Sequence, residues 1–324
     1  MNIPTTMTAI DIESKRLRVT TRPVHEPGAT DVLIKVAAAG VNRSDILQRE
    51  GCYPPPPGVT DIPGLEVAGE IVKTGATVSH WQCGDAVCAL VPGGGYAKYC
   101  IAPAVLCLPI PSSLTMVEAA SLPETFMTVW STIFDMARFA PGETVLVHGG
   151  SSGIGTTAIQ LVKAFGGEIF VTCGTTMKCE ACQELGASLA VNYREQDFLE
   201  VLNGQLVHIV LDMVGGDYVG RNLKVLALGG RHVSIAMLRG RMAQIDLTRL
   251  LIKRLTLYGA TLRARPVEQK ARIAGALKTR VWPLFASGTI KPVIFKTFLL
   301  KDAPLAHQLM ESGTHIGKIV LSVE

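Results

Sequence analysis

The stretch Thr144-Val-Leu-Val-His-Gly-Gly-Ser-Ser-Gly-Ile-Gly-Thr-Thr-Ala-Ile-Gln-Leu-Val-Lys163 decides the fold. Val145-Leu146-Val147 is an apolar run of the composition that a strand buried on both faces uses. Small residues follow from Gly149 to Gly155, and then Ala158, Ile159, Leu161 and Val162 share an apolar helical face with Lys163 towards solvent. Strand, glycine turn and helix in that order make the first half of a βαβ unit. A helix N-terminus offers unbonded N–H groups and a partial positive charge, so it attracts a pyrophosphate. A side chain at Gly150, Gly153 or Gly155 would hold away the ligand or the neighbouring backbone. The wording Gly150-Ser-Ser-Gly-Ile-Gly155 is one residue out of step with Gly-x-Gly-x-x-Gly, and a purely structural turn is the competing reading. The flanking strand and helix favour a dinucleotide site built on Gly150, Ser151, Ser152, Gly153, Ile154 and Gly155.

The next strand indicates which dinucleotide. Glu168-Ile-Phe-Val-Thr172 reads as that strand, and it runs into Cys173-Gly-Thr-Thr-Met-Lys178. Sites for NAD place an acidic residue at this strand end to accept from the ribose 2′-hydroxyl. None is present here. Gly174, Thr175 and Lys178 suit a 2′-phosphate instead, which predicts NADPH; the bland alternative leaves Lys178 as a solvated residue of the following helix.

A chain of 324 residues is long enough for two domains with their own cores. A hydrophobic share of 48% with mixed charge argues for a compact globular protein. The net charge of +4 is dispersed and the aromatic share is only 6%, so neither a basic footprint nor a stacking platform for nucleic acid is expected. The N-terminus lacks a basic segment followed by an apolar core, and no apolar run reaches the length of a membrane span. These features predict a cytoplasmic protein. Its eight cysteines read as free thiols; the pair Cys179/Cys182 has no second pair at zinc-site spacing.

Strand patterns at 31–37, 64–72, 86–90 and 96–101 alternate with glycine and proline turns, and Asn42-Arg-Ser-Asp45 leads into a short helix. Gly51-Cys-Tyr-Pro-Pro-Pro-Pro-Gly58 can be neither helix nor central strand and reads as a surface loop. After Leu114 the chain turns helical, including one helix over 125–139. From Thr144 strands and helices alternate, with further strands at 206–212, 231–235 and 255–258, which predicts a parallel doubly wound sheet. A single amphipathic helix is expected over 267–287, and the strand patterns at 290–298 and 318–322 suggest a return to the first domain. The expected fold is therefore α/β, a β-barrel-like domain plus a Rossmann domain, divided as 1–124 with 264–324, and 125–263.

The order Asn42-x-x-Asp45, Tyr53-Pro-Pro-Pro-Pro-Gly58, Gly64-Leu-Glu66-x-x-Gly69, Gly84-Asp85, Pro123-Glu124, the Gly150–Gly155 turn, Leu185-Gly-Ala187 and His315-Ile-Gly-Lys-Ile-Val320 resembles the medium-chain dehydrogenase/reductase superfamily. The tyrosine–proline loop and Pro123-Glu-Thr-Phe-Met-Thr128 look most like its zeta-crystallin-type NADPH:quinone oxidoreductases, in particular a tumour-suppressor-inducible subgroup. The resemblance covers nearly the whole chain. It implies a GroES-like catalytic domain and a Rossmann domain with cofactor in the cleft between them, and a homodimer or tetramer. It also implies that Thr128 touches the carboxamide, Tyr193 the adenosine side, and Met237, Leu262 and Lys318 the nicotinamide half. Zinc-dependent relatives carry a Cys near Asp45 and a His at Leu65, with a four-cysteine lobe after Leu90; leucine cannot ligate zinc, and no metal is expected. Short-chain dehydrogenases use a similar turn but need a Tyr-x-x-x-Lys pair, which does not follow residue 155.

Hydride transfer to a quinone needs alignment and donors for the developing oxyanion more than acid–base machinery. Asn42 and Tyr53 are the expected donors, because neither titrates near neutrality; a turn role for Asn42 and ring packing on the prolines for Tyr53 compete. Asp45 reads as a structural cap of the short helix. An NADPH-dependent enoyl-thioester reductase, with Tyr53 protonating Cα, is the alternative enzyme. A structural or RNA-contacting NADPH-binding protein is the alternative of another class.

Overall fold

A computed structural model describes residues 3–324. It separates into two compact units, Met1–Met127 with Arg263–Glu324, and Thr128–Leu262. In chain order the first unit opens with a hairpin of β1 (Thr6–Glu13) and β2 (Arg16–Pro23). There follow β3 (Asp31–Val41), α1 (Arg43–Arg49), β4 (Glu66–Thr74), β5 (Ala86–Leu90), β6 (Tyr99–Pro103), β7 (Cys107–Pro109) and α2 (Met116–Ala119). Helix α3 (Pro123–Val129) passes into the second unit and continues as a π-helical segment, Trp130–Met136. The second unit then alternates β8 (Thr144–His148), α4 (Gly153–Ala164), β9 (Glu168–Cys173), α5 (Thr176–Glu184), β10 (Leu189–Asn192) and α6 (Phe198–Leu202). It ends with β11 (Val207–Asp212), α7 (Asp217–Val225), β12 (Leu226–Ser234), α8 (Leu247–Lys253) and β13 (Thr256–Gly259). The chain returns to the first unit with α9 (Val267–Arg280), α10 (Trp282–Ala286), β14 (Ile294–Leu299), α11 (Ala303–Ser312) and β15 (Lys318–Ser322).

The first unit is GroES-like. Its main sheet runs β14-β15-β3-β4-β5-β7, with β6 added to β3. Inward residues such as Val36, Val67 and Leu321 share one core with Ile10 of the hairpin. Strand β15 lies antiparallel to β3 with Ile319 opposite Val41, so the last strand brings Lys318 to the start of α1.

The second unit is a Rossmann domain. All six strands are parallel, in the order β10-β9-β8-β11-β12-β13. Chain order runs outward in both directions from β8, so the switch point lies between β8 and β11, and ligands of such sheets bind at the carboxyl ends of those strands.

Three elements differ from expectation. The span 125–139 is not one α-helix, because its second half winds as the π-helical segment. The helix expected over 267–287 is broken after Arg280: Val281 leaves regular geometry at φ −107°, and Pro283 has no N–H to give an i−4 carbonyl. Helix α4 starts inside the glycine turn, at Gly153, a turn earlier than its first apolar residues indicate.

Candidate active site

The β8–α4 turn has the shape of a dinucleotide cradle. A Cβ on Gly150 would lie 2.5 Å from the Val171 Cβ, and one on Gly155 would lie 2.3 Å from the Gly150 carbonyl oxygen. Both glycines are therefore required by packing of the protein itself. Ser152 is the N-cap, its hydroxyl accepting the Gly155 N–H at 3.0 Å. That leaves the N–H groups of Gly153 and Ile154, the first two helical positions, without an intrahelical acceptor. They are the donors that a pyrophosphate would use.

A buried polar chain braces this turn. His148, the last residue of β8, bonds Thr172 Oγ1 through Nδ1 at 3.0 Å and Asn222 Oδ1 through Nε2 at 2.7 Å. His232 Nε2 lies 3.3 Å from Asn222 Nδ2 and 3.2 Å from Asp212 Oδ2, and Asp212 Oδ1 accepts the N–H of Val214 at 2.7 Å. Burial pushes His148 down to about 4, so its ring is neutral near pH 7. Sequence reasoning missed this chain, whose members are far apart in sequence.

At the carboxyl end of β9 the chain places Thr175, Lys178, Tyr193 and Arg194. Thr175 caps α5, accepting the Lys178 N–H at 3.3 Å. Lys178 is only 8% exposed, not the solvated residue of the bland reading, and burial lowers its pKa. Tyr193 and Arg194 lie over Gly174, where an added Cβ would meet the Tyr193 hydroxyl at 2.7 Å and Arg194 Nε at 3.7 Å. Arg194 is a second cation that sequence reasoning missed, although it adjoins Tyr193. Of the other second-unit residues, Met237 is exposed and Leu262 is buried. Thr128 uses its carbonyl to accept from Ser131 Oγ and Thr132 Oγ1.

In the first unit a buried network surrounds Glu66. Its Oε1 accepts from Asn42 Nδ2 at 2.9 Å and Lys318 Nζ at 2.6 Å, and its Oε2 accepts the Glu124 N–H at 2.9 Å. Lys318 Nζ also donates to the Val41 carbonyl at 3.0 Å and to Asn42 Oδ1 at 2.7 Å. All three ammonium hydrogens are thus committed inside the protein. Asn42 keeps one amide hydrogen, since its carbonyl and one N–H are engaged.

Asp45 does cap α1, but from inside it: its Oδ2 accepts the Asn42 N–H at 2.8 Å and the Tyr96 hydroxyl at 3.1 Å, and its Oδ1 the Gly64 N–H at 3.2 Å. Burial raises Asp45 to about 6 against the pull of these donors and of Lys318. The Tyr96 oxygen is also 3.2 Å from His307 Nε2. Because the Tyr96 proton goes to Asp45, His307 must carry its proton on Nε2, and its Nδ1 is buried without a partner.

Beside this network lie Tyr53, Arg263 and Glu124. The guanidinium of Arg263 stands over the Tyr53 ring, 5.5 Å from its centroid, and burial raises the Tyr53 hydroxyl pKa, so it remains a donor. Glu124 is pushed up to about 8, chiefly by burial and next by the Glu66 charge. Sequence reasoning quoted Pro123-Glu124 as a motif without a role; nothing local marks this carboxyl as proton-bearing.

The donor set does not fit a zinc ion. Asp45 already accepts three hydrogen bonds, Leu65 has no ligating atom, and burial holds Cys100 protonated up to about 12. Among the described residues no group of three or more His, Cys, Asp or Glu side chains converges to hold a metal.

These features define a class: a GroES-like unit and a dinucleotide-cradling Rossmann unit on one chain. Family models described as "Alcohol dehydrogenase GroES-like domain" and "Zinc-binding dehydrogenase" match residues 28–112 and 185–321. Quinone oxidoreductase of Mus musculus is 30% identical over 303 residues, covering 91% of this chain and 90% of that protein. A phenolphthiocerol/phthiocerol polyketide synthase protein of Mycobacterium tuberculosis is 32% identical over 310 residues, 93% of this chain but only 14% of that longer protein. The solved CurK enoyl reductase superposes with a TM-score of 0.86 at 28% identity, covering 99% of this chain and 100% of that one. The chain belongs to the medium-chain dehydrogenase/reductase superfamily of oxidoreductases.

Two outcomes are expected. Lys318→Met strands the buried Glu66 carboxylate and costs about 3–5 kcal/mol, whereas adding Glu66→Gln recovers part of the loss. Equal urea midpoints for wild type and the single variant would contradict this. The raised pKa of Glu124 contributes stability that is complete below its unfolded value of 4.5 and lost as pH rises through about 8. Between pH 6.5 and 8.5, above the range in which His148 and Asp45 titrate, the melting temperature of wild type should therefore fall more steeply than that of Glu124→Gln.

Proposed function

We propose that the chain is a cytoplasmic, zinc-independent reductase that passes hydride from NADPH to a quinone or similar conjugated carbonyl, and that it works as a homodimer. The observation that carries the acceptor class is that the first unit keeps two donors through neutrality, the Asn42 amide with one N–H unused and the Tyr53 hydroxyl, whose pKa burial raises. NADPH over NADH is supported by Thr175, Lys178 and Arg194 at the end of β9, where no carboxylate accepts from a ribose hydroxyl. When bound, the reduced dinucleotide supplies the hydride. Gly153 and Ile154 would hold its diphosphate, and Asn42, positioned by Lys318 and Glu66, would offer its remaining N–H to the acceptor oxygen. Tyr53 would donate to the same developing charge.

The enoyl-thioester alternative is favoured by one observation. Glu124 holds a proton to about pH 8 and could help deliver it to carbon after hydride addition. The similarity to an enoyl reductase and to polyketide synthases supports the same alternative.

The dimer reading rests on the edge of the Rossmann sheet. Helix α8 has no buried residue, and its Leu247, Leu251 and Ile252 are 60%, 75% and 72% exposed. Next to it β13 is an edge strand with Leu257 exposed. The open edge of a strand, with an apolar helix preceding it, is a surface that a second copy can cover.

Consumption of NADPH with duroquinone and with crotonyl-CoA separates the acceptors. Faster quinone turnover is expected, with Tyr53→Phe costing it less than about tenfold, the worth of one hydrogen bond. Preference for crotonyl-CoA, abolished by Tyr53→Phe, would establish the alternative. In the same assay Lys178→Ala and Arg194→Ala should each weaken NADPH by about tenfold while sparing NADH; an unchanged ratio rejects the cofactor assignment. Sedimentation should give a dimer of the 34.6 kDa chain that Leu251→Glu with Ile252→Glu converts to monomer, and a monomeric wild type would refute the interface.

A further inference from the structure

Arg263 is an expensive residue to place where it is. It is only 7% exposed, and its guanidinium is tied down on two sides: Nε donates to the Pro92 carbonyl at 2.7 Å and Nη1 to the Tyr53 carbonyl at 3.5 Å. The Nη2 end is buried and has no hydrogen-bond partner. A charged donor left in that state costs more than a neutral one, so an acceptor is called for. Asp45 and Glu124 influence Arg263 only through their charge, and neither hydrogen-bonds Nη2. The backbone carbonyl of Arg263 is held as well, accepting from buried Lys270 Nζ at 3.2 Å. The side chain is thus fixed from behind, with one donor unused.

The cover over it can move. The Tyr53 ring stands over the guanidinium from a surface loop bounded by Gly51 and Gly58. Both glycines are left-handed, with φ of 78° and 80°, and neither has any atom within 4 Å of where a Cβ would be. The Tyr53 backbone is held, its N–H donating to the Leu47 carbonyl at 3.1 Å and its own carbonyl accepting from Arg263 Nη1, so the movable part of the cover is the half-buried Tyr53 ring.

We propose that Arg263 Nη2 is the anchor for the acceptor: it hydrogen-bonds the oxygen on which negative charge collects, or a carboxylate carried by the acceptor, once the Tyr53 ring turns aside on its own side-chain torsions with its backbone in place. The site therefore selects carbonyl compounds with an anionic or strongly accepting oxygen. This rests on the reductase reading above for the reaction, though the binding step can be tested without it. Arg263 then acts in specificity, and Tyr53 covers its donor until the acceptor arrives.

Calorimetric binding of 4-hydroxybenzoate and 4-hydroxybenzamide, which share a ring and differ in charge, tests the anchor. Wild type should bind the benzoate about ten- to a hundredfold more tightly, as a charged hydrogen bond requires. Arg263→Met should bring the ratio near one and Arg263→Lys should leave it in between, because lysine keeps the charge but not the fork. No preference in wild type, or the full preference retained in Arg263→Met, would overturn the proposal. If Arg263→Met does not fold, an unchanged ratio in Arg263→Lys overturns it instead. Duroquinone turnover by wild type reports separately on the reaction. Turnover without anion preference removes the anchor alone, and anion preference without turnover of quinone or crotonyl-CoA removes the reductase reading alone.

Discussion

A carboxylate sealed from water inside a β-sheet must be matched or it unfolds its surroundings, and the first unit is arranged around such a match at Glu66. Desolvating both members of the Glu66–Lys318 pair costs several kcal/mol per ion, which the attraction returns only if the remaining hydrogen-bonding positions are filled. They are filled from four parts of the chain: Asn42 at the start of α1, the Val41 carbonyl at the end of β3, the Glu124 N–H in the first turn of α3, and Lys318 itself on β15. The requirement explains why the unit is discontinuous. Residue 318 has to come back beside residue 66, and only the return of β14 and β15 to the sheet brings it there. It also explains Gly40, where a Cβ would lie 2.1 Å from Glu66 Oε1.

The Rossmann unit buries another carboxylate, Asp212, whose hydrogen-bond donors hold it below the usual carboxylate range without a lysine partner. His148 and Asp212 end the two strands that flank the switch point, and the chain through Asn222 and His232 links them beneath the turn. His232 Nε2 cannot accept from Asn222 and donate to Asp212 at once, so it serves one of them; the other links are hydrogen bonds between buried groups, and loosening one leaves its neighbours unsatisfied in a low-dielectric interior. The glycine turn above is held on a stiff base, as a site that recognises a diphosphate by backbone N–H groups needs.

Much of this was legible in the residues, and what was not has physical reasons. Strong periodicity or turn chemistry marked β3, β5, β8, β9, β11 and β15, and the Gly150–Gly155 turn marked the cradle. The β1–β2 hairpin escaped because its turn carries Ser14 and Lys15 at φ of 47° and 63°, where Asn-Gly is the readable signature. At the site, Asn42 and Tyr53 were visible as residue types beside glycine and proline punctuation. Glu66 and Lys318 were visible only as motif members, because their partnership spans 252 positions. Arg263 gave no local sign at all, and Glu124 only a place in a motif without a role. Their character comes from burial and from charges brought by tertiary packing, neither of which a single sequence displays.

That packing also bears on why a reductase would keep so many charges together. Glu66 and Lys318 form an ion pair, the buried side chains of Arg263 and Lys270 lie in the same network, Asp45 is raised only to about 6, and Glu124 retains its proton to about 8. The cluster therefore carries a positive excess while Glu124 is protonated. A neutral carbonyl gains little from that excess on binding. On the proposed reading, hydride addition puts an electron pair on the acceptor oxygen, and the same excess then stabilises the negative charge. The interaction is stronger in the transition state than in the ground state, which is the condition for accelerating the chemical step.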